Sequence, residues 1–513
     1  MVISKTFMES PKISTAVRTG TVVKTVVVVS LLAAGLAISA AGFAVMGKGA
    51  IQKKQVAKRA APIQIPLTVC GMAPFLTDYI VTPAPATPNS FALPSQAIAA
   101  AQTGGDLNGN GTIEICVHGG SQAAGPIVYT EVSATSSTLI DMAPWAVSTG
   151  TGTEPVRIFS DTSAEYARWA SNAAYVFEML NSNPLTSQRL LTVTNIGFFG
   201  GRGAIAATSL EAKSLALVSD IFSGHQNNPA VWLSGGTTAT IDSSKFTDNQ
   251  SVAGSASLLL AGNAVVALTS DTFSKNRASE GPAINATDYA SITDQRSVYQ
   301  GNTATGNGGG AGGGAVFLNG YATYSGVNAT FSDNISQASS TSSGEGGALL
   351  ALGIGSVNCT GCTWTNNLGA SSGGAITVYN LGGAIFVDNI FTGNRASGGG
   401  AIRMGDVMTV TLTGGKFESN SATAGDGGAL YGLTQANAAG AVSVTGTTFL
   451  NNTATNVGGA IGLAGGQVSI NQATFTGNTA PAGGAVFKSS YGNLTVDDST
   501  FTDNKASAAS GGG

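Results

Sequence analysis

From Phe246 to Asn504 one phrase recurs ten times: an aromatic residue, two variable residues and an asparagine. The pairs are Phe246/Asn249, Phe273/Asn276, Tyr299/Asn302, Phe331/Asn334, Trp364/Asn367, Phe391/Asn394, Phe417/Asn420, Phe449/Asn452, Phe475/Asn478 and Phe501/Asn504. A second phrase, Gly-Gly-Ala and an aliphatic residue, lies between them at Ala315-Val316, Ala348-Leu349, Ala375-Ile376, Ala401-Ile402, Ala429-Leu430, Ala460-Ile461 and Ala485-Val486. The motif alanine precedes the next aromatic residue by 16 positions at Ala283, Ala315, Ala348, Ala375, Ala401 and Ala485. The aromatic-to-Asn step is always 3 and the return to alanine usually 7 to 9, so the basic period is 26 residues. A fixed period of this size marks a solenoid.

The repeat is too short for a helix pair and is poor in strong helix formers. Val442-Ser443-Val444-Thr445, Val468-Ser469-Ile470 and Leu494-Thr495-Val496 alternate apolar and polar residues, the signature of half-buried strands. Short strands with glycine-rich corners predict an all-β fold, a right-handed parallel β-helix with one coil per repeat. Coils about 4.8 Å apart would make the ten units about 50 Å long. Each motif residue then has a structural task. The aromatic rings stack inside, the asparagines form an amide ladder in which each side chain bonds the coils above and below, the paired glycines supply the corner, and alanine permits close approach.

The glycine and aromatic-Asn phrases in register resemble the repeats of the chlamydial polymorphic outer membrane proteins, over roughly residues 201–513. That resemblance implies a surface autotransporter with a β-helical passenger, working in adhesion or surface display. Its partner would be a protein or glycan on a host or neighbouring cell. Upstream the pattern degrades: Phe222 is followed by His225, and Arg202-Gly203-Ala204-Ile205 and Asn228-Pro229-Ala230-Val231 are imperfect glycine phrases. Autotransporters end in a membrane barrel, and nothing after Asn504 offers alternating strands. The last residues, Gly511-Gly512-Gly513, read as the opening of another glycine phrase and hence as a truncated frame.

Residues 1–24 form a basic tail, and Thr25 to Met46 are 22 nearly uninterrupted apolar residues. They are long enough for a membrane anchor and equally fit a signal peptide; both predict an N-terminal hydrophobic helix and export. Residues 47–104 read as a Pro/Ala-rich linker, 105–200 as a cap with irregular first coils, and 201–513 as the repeats. A formal charge of −4 with 10% charged residues leaves no basic stripe for nucleic acid. Cys70 and Cys116 flank the cap and could pair in an oxidising compartment. Cys359 and Cys362 form a C-x-x-C without a second pair, which favours buried thiols or a local disulfide over zinc. Sequons at Asn285, Asn328, Asn334, Asn358 and Asn493 fall within a motif-rich context that makes chance matches common.

Asp106, Asn108 and Asn110, with Glu114 at the ninth position, match part of a calcium loop; the twelfth position is Val117 instead of an acid. A turn into the first strand is the simpler reading. A β-helical polysaccharide lyase or hydrolase would need clustered carboxylates. Asp248, Asp333 and Asp503 instead recur before the motif Asn, as turn formers. Asp497-Asp498 is an adjacent pair, and His118 and His225 are far apart. No catalytic residue and no cofactor is therefore expected. A carbohydrate-binding protein and a purely structural envelope protein remain the alternatives. The better functional candidates are the lengthened returns at Thr303–Gly314 and Ile335–Gly347, where the Asn-to-Ala step grows to 13 and 14 positions. They should protrude side by side from one corner. Thr303, Asn307, Gln337, Ser340 and Glu345 are their candidate binding residues, and a third insertion falls around Leu433–Ala439.

Overall fold

The computed structural model describes residue 70 and residues 77–508 apart from 84, 86–88, 122–124, 132–137, 142–154, 162–166, 172, 174, 181–189, 209–212, 253, 307–311, 339–342, 380–381, 406–408 and 434–440. The apolar segment 25–46 and the glycines at 511–513 lie outside the described residues. No helix among the described residues is long and apolar enough to cross a membrane.

Each coil visits four sheets in turn. Ile284–Ala286 lies in a glycine sheet, Ser291–Gln295 in a long sheet, Val298–Gln300 in an aromatic sheet and Thr303–Ala304 in a short corner sheet. The chain then passes an apex turn and re-enters the glycine sheet at Val316–Gly320. Among the described residues these sheets hold 13, 16, 14 and 9 strands. Every pairing between coils is parallel and in register, as in Phe273↔Tyr299↔Phe331↔Trp364. The chain is a right-handed parallel β-helix.

The predicted aromatic ladder is present and longer than the ten units. Phe198 and Phe222 extend it upstream, and from Phe198 to Phe501 successive rings are 4.0 to 5.7 Å apart and tilted by 2° to 12°. Phe246, Phe273, Phe331, Phe391, Phe417, Phe449 and Phe475 are buried, whereas Phe501, in the last coil, is 46% exposed. The same register continues to Trp169 and Tyr129, so every strand of the aromatic sheet carries an inward ring. The widest ring is accommodated by its neighbour: Trp364 Nε1 donates to Asn389 Oδ1 at 3.2 Å.

The asparagines form a continuous amide ladder beside the rings. Asn394 Nδ2 donates to Asn420 Oδ1 at 2.9 Å and to the Trp364 carbonyl at 2.8 Å. Its own Oδ1 accepts from the backbone and amide nitrogens of Asn367, each at 3.0 Å. The scheme is the same near both ends of the run. Asn276 Nδ2 donates to Asn302 Oδ1 and to the Phe246 carbonyl, each at 3.0 Å. Asn452 Nδ2 donates to Asn478 Oδ1 at 3.0 Å and to the Phe417 carbonyl at 2.9 Å. Every rung from Asn249 to Asn478 repeats it, and Asn504 ends it.

The expected ladder, with each side chain bonding the coils on either side, is thus present, and the main chain takes part in it. The side-chain chain runs one way, from each Nδ2 to the Oδ1 of the following coil. It leaves the second N–H of each amide without an amide acceptor, and the aromatic residue's carbonyl in the preceding coil supplies one. Asn276 and Asn452, like Asn249, Asn334, Asn394, Asn420 and Asn478, are fully buried. They therefore brace the coil and meet no solute. The residue before the rung is held at positive φ; Asp248, Asp333 and Asp503 have φ of 55°, 56° and 53°, the turn role expected of them.

The two glycines of the second phrase have different causes. The first, such as Gly346 with φ 60°, supplies the left-handed corner. The second is required by contact: a Cβ on Gly347 would overlap the carbonyl oxygen of Gly374, and the same clash repeats from coil to coil. The close approach assigned to alanine thus belongs to the glycine before it, while the alanine is fully buried.

Upstream, residues 77–104 depart from the expected linker. Tyr79–Val81 pairs with Ile113–Val117 and joins the long sheet. The helix Pro94–Gly104 packs Ala97, Ile98 and Ala101 against the first strands. Proline and alanine suggested an extended tether, but Pro94 occupies the first helical turn, where no amide is needed. Cys70 and Cys116 are joined by a disulfide, and Cys359 and Cys362 by another.

Replacing Asn394 with Ala removes partners from the Asn367 amide, the Asn367 N–H and the Trp364 carbonyl. The expected cost is about 3 kcal/mol, seen as a lowered urea midpoint. Thr413→Ala, on an exposed outward position, should change stability by less than about 0.5 kcal/mol.

Candidate functional site

The apex turns between the corner and glycine sheets lean over the outer face of the glycine sheet. Each apex covers the second strand residue of the following coil: Gly281 lies against Phe317, Gly346 N donates to Thr377 Oγ1 at 3.0 Å, and Gly398 lies against Tyr431. Phe317, Leu350 and Thr377 point outward in the pleat yet are sealed under these turns. The next two residues in that column, Arg403 and Tyr431, are only partly covered. A groove of about 270 Å³ opens beside them.

Four consecutive coils contribute its walls: Ser371 and Ser372, Ser397 and Gly398, Ala424 to Asp426, and Asn456. Arg403 is held in a fixed pose. Its guanidinium lies between two rings, 5.1 Å from the Tyr379 centroid and 5.7 Å from that of Tyr431. Nη1 donates to Ser372 Oγ at 3.3 Å and to the Tyr379 hydroxyl. Tyr379 in turn donates to Glu345 Oε1 at 3.0 Å, and that carboxylate oxygen is 3.7 Å from Arg403 Nη1. The Arg403 and Glu345 side chains are 18% and 14% exposed, so their attraction is screened less than that of a surface pair. Arg403 Nε is buried without a partner. On the outer side Asn456 Nδ2 donates to Asp426 Oδ1 at 2.6 Å.

Gly405 makes this arrangement possible, because a Cβ there would lie 2.6 Å from the Tyr379 ring. Burial and the neighbouring Glu345 charge push the Tyr379 hydroxyl up to about 12, against the opposing pull of Arg403. It therefore stays protonated and acts as a donor at neutral pH. Burial, then Asp426, also raises Tyr431.

Of the predicted loop residues, the structure brings Glu345 into this cluster. Thr303 is a corner strand residue paired with Ile335, and Gln337 N donates to the Ala304 carbonyl. Asn307 and Ser340 lie outside the described residues. The stems of both insertions run side by side, as expected, with Gly312 bridging Glu345. Sequence reasoning missed Arg403, Tyr379 and Tyr431. An arginine directly after the Ala-Ile of a glycine phrase was the available signal, since the phrase elsewhere precedes apolar or small residues.

The other candidates make contacts within the chain. Asp106 accepts hydrogen bonds from Gly109 N and Gly111 N, each at 2.7 Å, Asn108 from Asn110 N, and Asn110 from Thr112 N. Glu114 receives the Asn110 amide and faces Arg157. Asp78, absent from the predicted set, accepts the Leu107, Asn108 and Glu114 amides. These oxygens cap a turn against the first strand. The sequon residue Asn334 is a buried ladder rung.

His118 pairs with Asp161 at 2.6 Å. His225 instead stands in the amide ladder: its N–H donates to Asn249 Oδ1 at 3.1 Å, and its ring is fully buried. Neither ring nitrogen has a partner of good hydrogen-bond geometry. Burial lowers its pKa to about 4, although the Gly200 and Phe198 backbone groups oppose the shift. Three acids are also sealed inside the coils. Asp220, Asp271 and Asp294 are raised by burial, and Asp294 accepts from the Tyr299 and Tyr324 hydroxyls at 2.9 and 2.7 Å. With 0 to 1% exposure they cannot meet a solute.

A family model described as a right-handed β-helix region matches residues 347–513, which include most of the groove. A comparison with curated proteins finds no match. Among solved structures, the periplasmic alginate epimerase AlgG aligns at 11% identity and a TM-score of 0.29, covering 79% of this chain and 82% of its own. Tailspike protein 3 of bacteriophage CBA120 aligns at 10% identity and a TM-score of 0.37, covering 80% and 59%. At these scores neither relation carries its activity to this chain.

The His225 ring yields a signed pH dependence. The unfolded chain takes a proton near pH 6.5, whereas the folded ring resists until about 4. Its contribution is complete above pH 6.5 and is lost as pH falls towards 4, by up to about 3 kcal/mol. The buried acids work in the opposite direction, so total stability is not diagnostic. His225→Asn should lose less stability than the parent between about pH 7 and about pH 4.5 in urea titrations; an equal loss would contradict a buried neutral ring.

Proposed function

We propose that this chain is an exported β-helical surface protein, similar to a polymorphic outer membrane protein passenger, which adheres to glycans through the Arg403 groove. The single observation that carries this reading is the arginine clamped between Tyr379 and Tyr431 at a column position that neighbouring coils seal. Prearranged donors beside an aromatic ring suit a ligand with hydroxyls on its edges and C–H groups on its faces. Two disulfides favour an oxidising compartment and hence export. The protonated Tyr379 favours binding over proton abstraction, because a general base works best with a pKa near the operating pH.

A second reading, polysaccharide cleavage, rests on the carboxylates Glu345 and Asp426 on either side of Arg403. One experiment separates the two. The purified chain is applied to a glycan array and to intact cells, and the supernatant is assayed for new reducing or unsaturated ends. Retention without product supports adhesion, and Arg403→Ala should weaken it at least about tenfold, about 1.4 kcal/mol. Product formation that Asp426→Asn abolishes would replace adhesion with catalysis. Retention unchanged in Arg403→Ala would remove the groove from either function.

A further inference from the structure

We infer that the groove takes a neutral, hydroxyl-rich polysaccharide lying parallel to the solenoid axis. This rests on the glycan reading above and adds the charge class and the direction of the chain.

The direction follows from the construction of the groove. Its walls are neighbouring apex positions of four successive coils: Ser372, Gly398 and Asp426 are equivalent, Asn456 precedes their counterpart Val457 by one residue, and all stand near one another because the coils stack. Three coil intervals give a track of about 14 Å along the axis. A linear polymer laid on it meets a fresh set of side chains at each interval. A ligand crossing the axis would meet one apex turn and then leave the groove.

The charge class follows from a count. Among the described residues Arg403 is the one cation lining the groove, and its Nη1 is already engaged by Ser372, Tyr379 and Glu345. Glu345 offsets its charge, and Asp426 adds a further carboxylate at the rim. The formal sum of Glu345, Arg403 and Asp426 is negative, and a polyanion would meet repulsion where Asp426 stands. A hydroxyl, by contrast, can donate to Asp426 and accept from the Asn456 amide, and Ser371, Ser372 and Ser397 offer both roles. Tyr431 supplies a partly exposed face at the centre. Gly398 sets no side chain over it; a Cβ there would lie 3.5 Å from the ring.

An extended peptide fits less well. Peptide docking by strand addition needs unpaired backbone groups, and the groove backbone is spent between coils. Gly398 N donates to Ser371 O, Ala424 N to Ser397 O, and Asn456 N to Gly425 O. These pairings leave no free run of backbone groups there for a strand to join.

The test is calorimetric titration of the full chain with neutral gluco-, manno- and galacto-oligosaccharides long enough to span the groove, and with oligogalacturonate of the same length. Binding of at least one neutral series is expected, with affinity insensitive to added NaCl. Tyr431→Ala should lose about tenfold or more in affinity, while Tyr431→Phe, which keeps the ring and controls for folding, stays within about threefold. Asp426→Asn should raise the affinity for oligogalacturonate from its low parental value. Tighter parental binding of oligogalacturonate, falling with salt, would overturn the neutral assignment and leave the glycan reading standing. Neutral binding that Tyr431→Ala leaves intact would overturn the placement. Loss of cell retention after protease treatment of the target surface, with no oligosaccharide bound, would overturn both and identify a protein partner.

Discussion

The amide ladder is the constraint on which the rest of the structure depends. A buried asparagine has two donors and two acceptor lone pairs to satisfy, and each rung meets them from the coils on either side. The scheme requires the same residue at the same height in every coil, and it requires a left-handed residue immediately before it. It also ties down the aromatic strand of the preceding coil, because the amide donates to that coil's aromatic backbone carbonyl, as Asn394 does to Trp364. Ring stacking adds about 0.5–1.5 kcal/mol per pair beyond buried area, but the hydrogen bonds set the register. A slip of one residue would leave buried donors and acceptors unpaired along the whole bore.

That register is intolerant of insertion in the aromatic and long sheets and tolerant at the apex. The strands on either side of the ladder keep their lengths from coil to coil, whereas the return from Asn to Ala expands from 7 to 14 residues. Extra chain there folds outward without disturbing a rung: the return after Asn276 is short and that after Asn334 long, yet both amides make the same bonds. Each apex also leans over the next coil, so a change at one turn alters what its neighbour exposes. Long-range neighbours thereby arise from modest sequence separations: Glu345 and Tyr379 are 34 residues apart, and Tyr379 and Arg403 are 24.

This geometry explains which parts could be read from the sequence. The ladder was legible from Phe246 onward because ring and amide recur together. It was not legible at Phe198 and Tyr129, where Gly201 and Val132 replace the asparagine and the ring alone carries no signal. Trp169 does have Asn172 three residues on, but lacks the glycine phrase that would mark the period. His225 was visible as a departure from the motif; that it remains inside the ladder needed the register of its N–H with Asn249. The helix at 94–104 was hidden by a composition argument, which weighed proline and alanine and passed over the apolar side chains that are buried. Arg403 was hidden by the motif itself, since a residue inside a regular strand phrase reads as scaffold until its outward neighbours are known.

The sealed acids show why residue type alone misleads in such a fold. Asp271 and Asp294 are titratable, perturbed and close enough to influence each other, features that elsewhere point to catalysis. Here they occupy the bore, where Tyr299, Tyr324 and backbone amides satisfy their oxygens and burial favours the neutral form. The Arg403 cluster has the complementary character. Its groups are only partly buried, its charges are paired but not sealed, and its glycines leave space at Gly398 and beneath Tyr379. In a solenoid whose interior must repeat, the capacity to recognise something else is confined to positions the ladder does not govern. The outward column under the apex turns is such a position, and at Arg403 and Tyr431 it is left partly open.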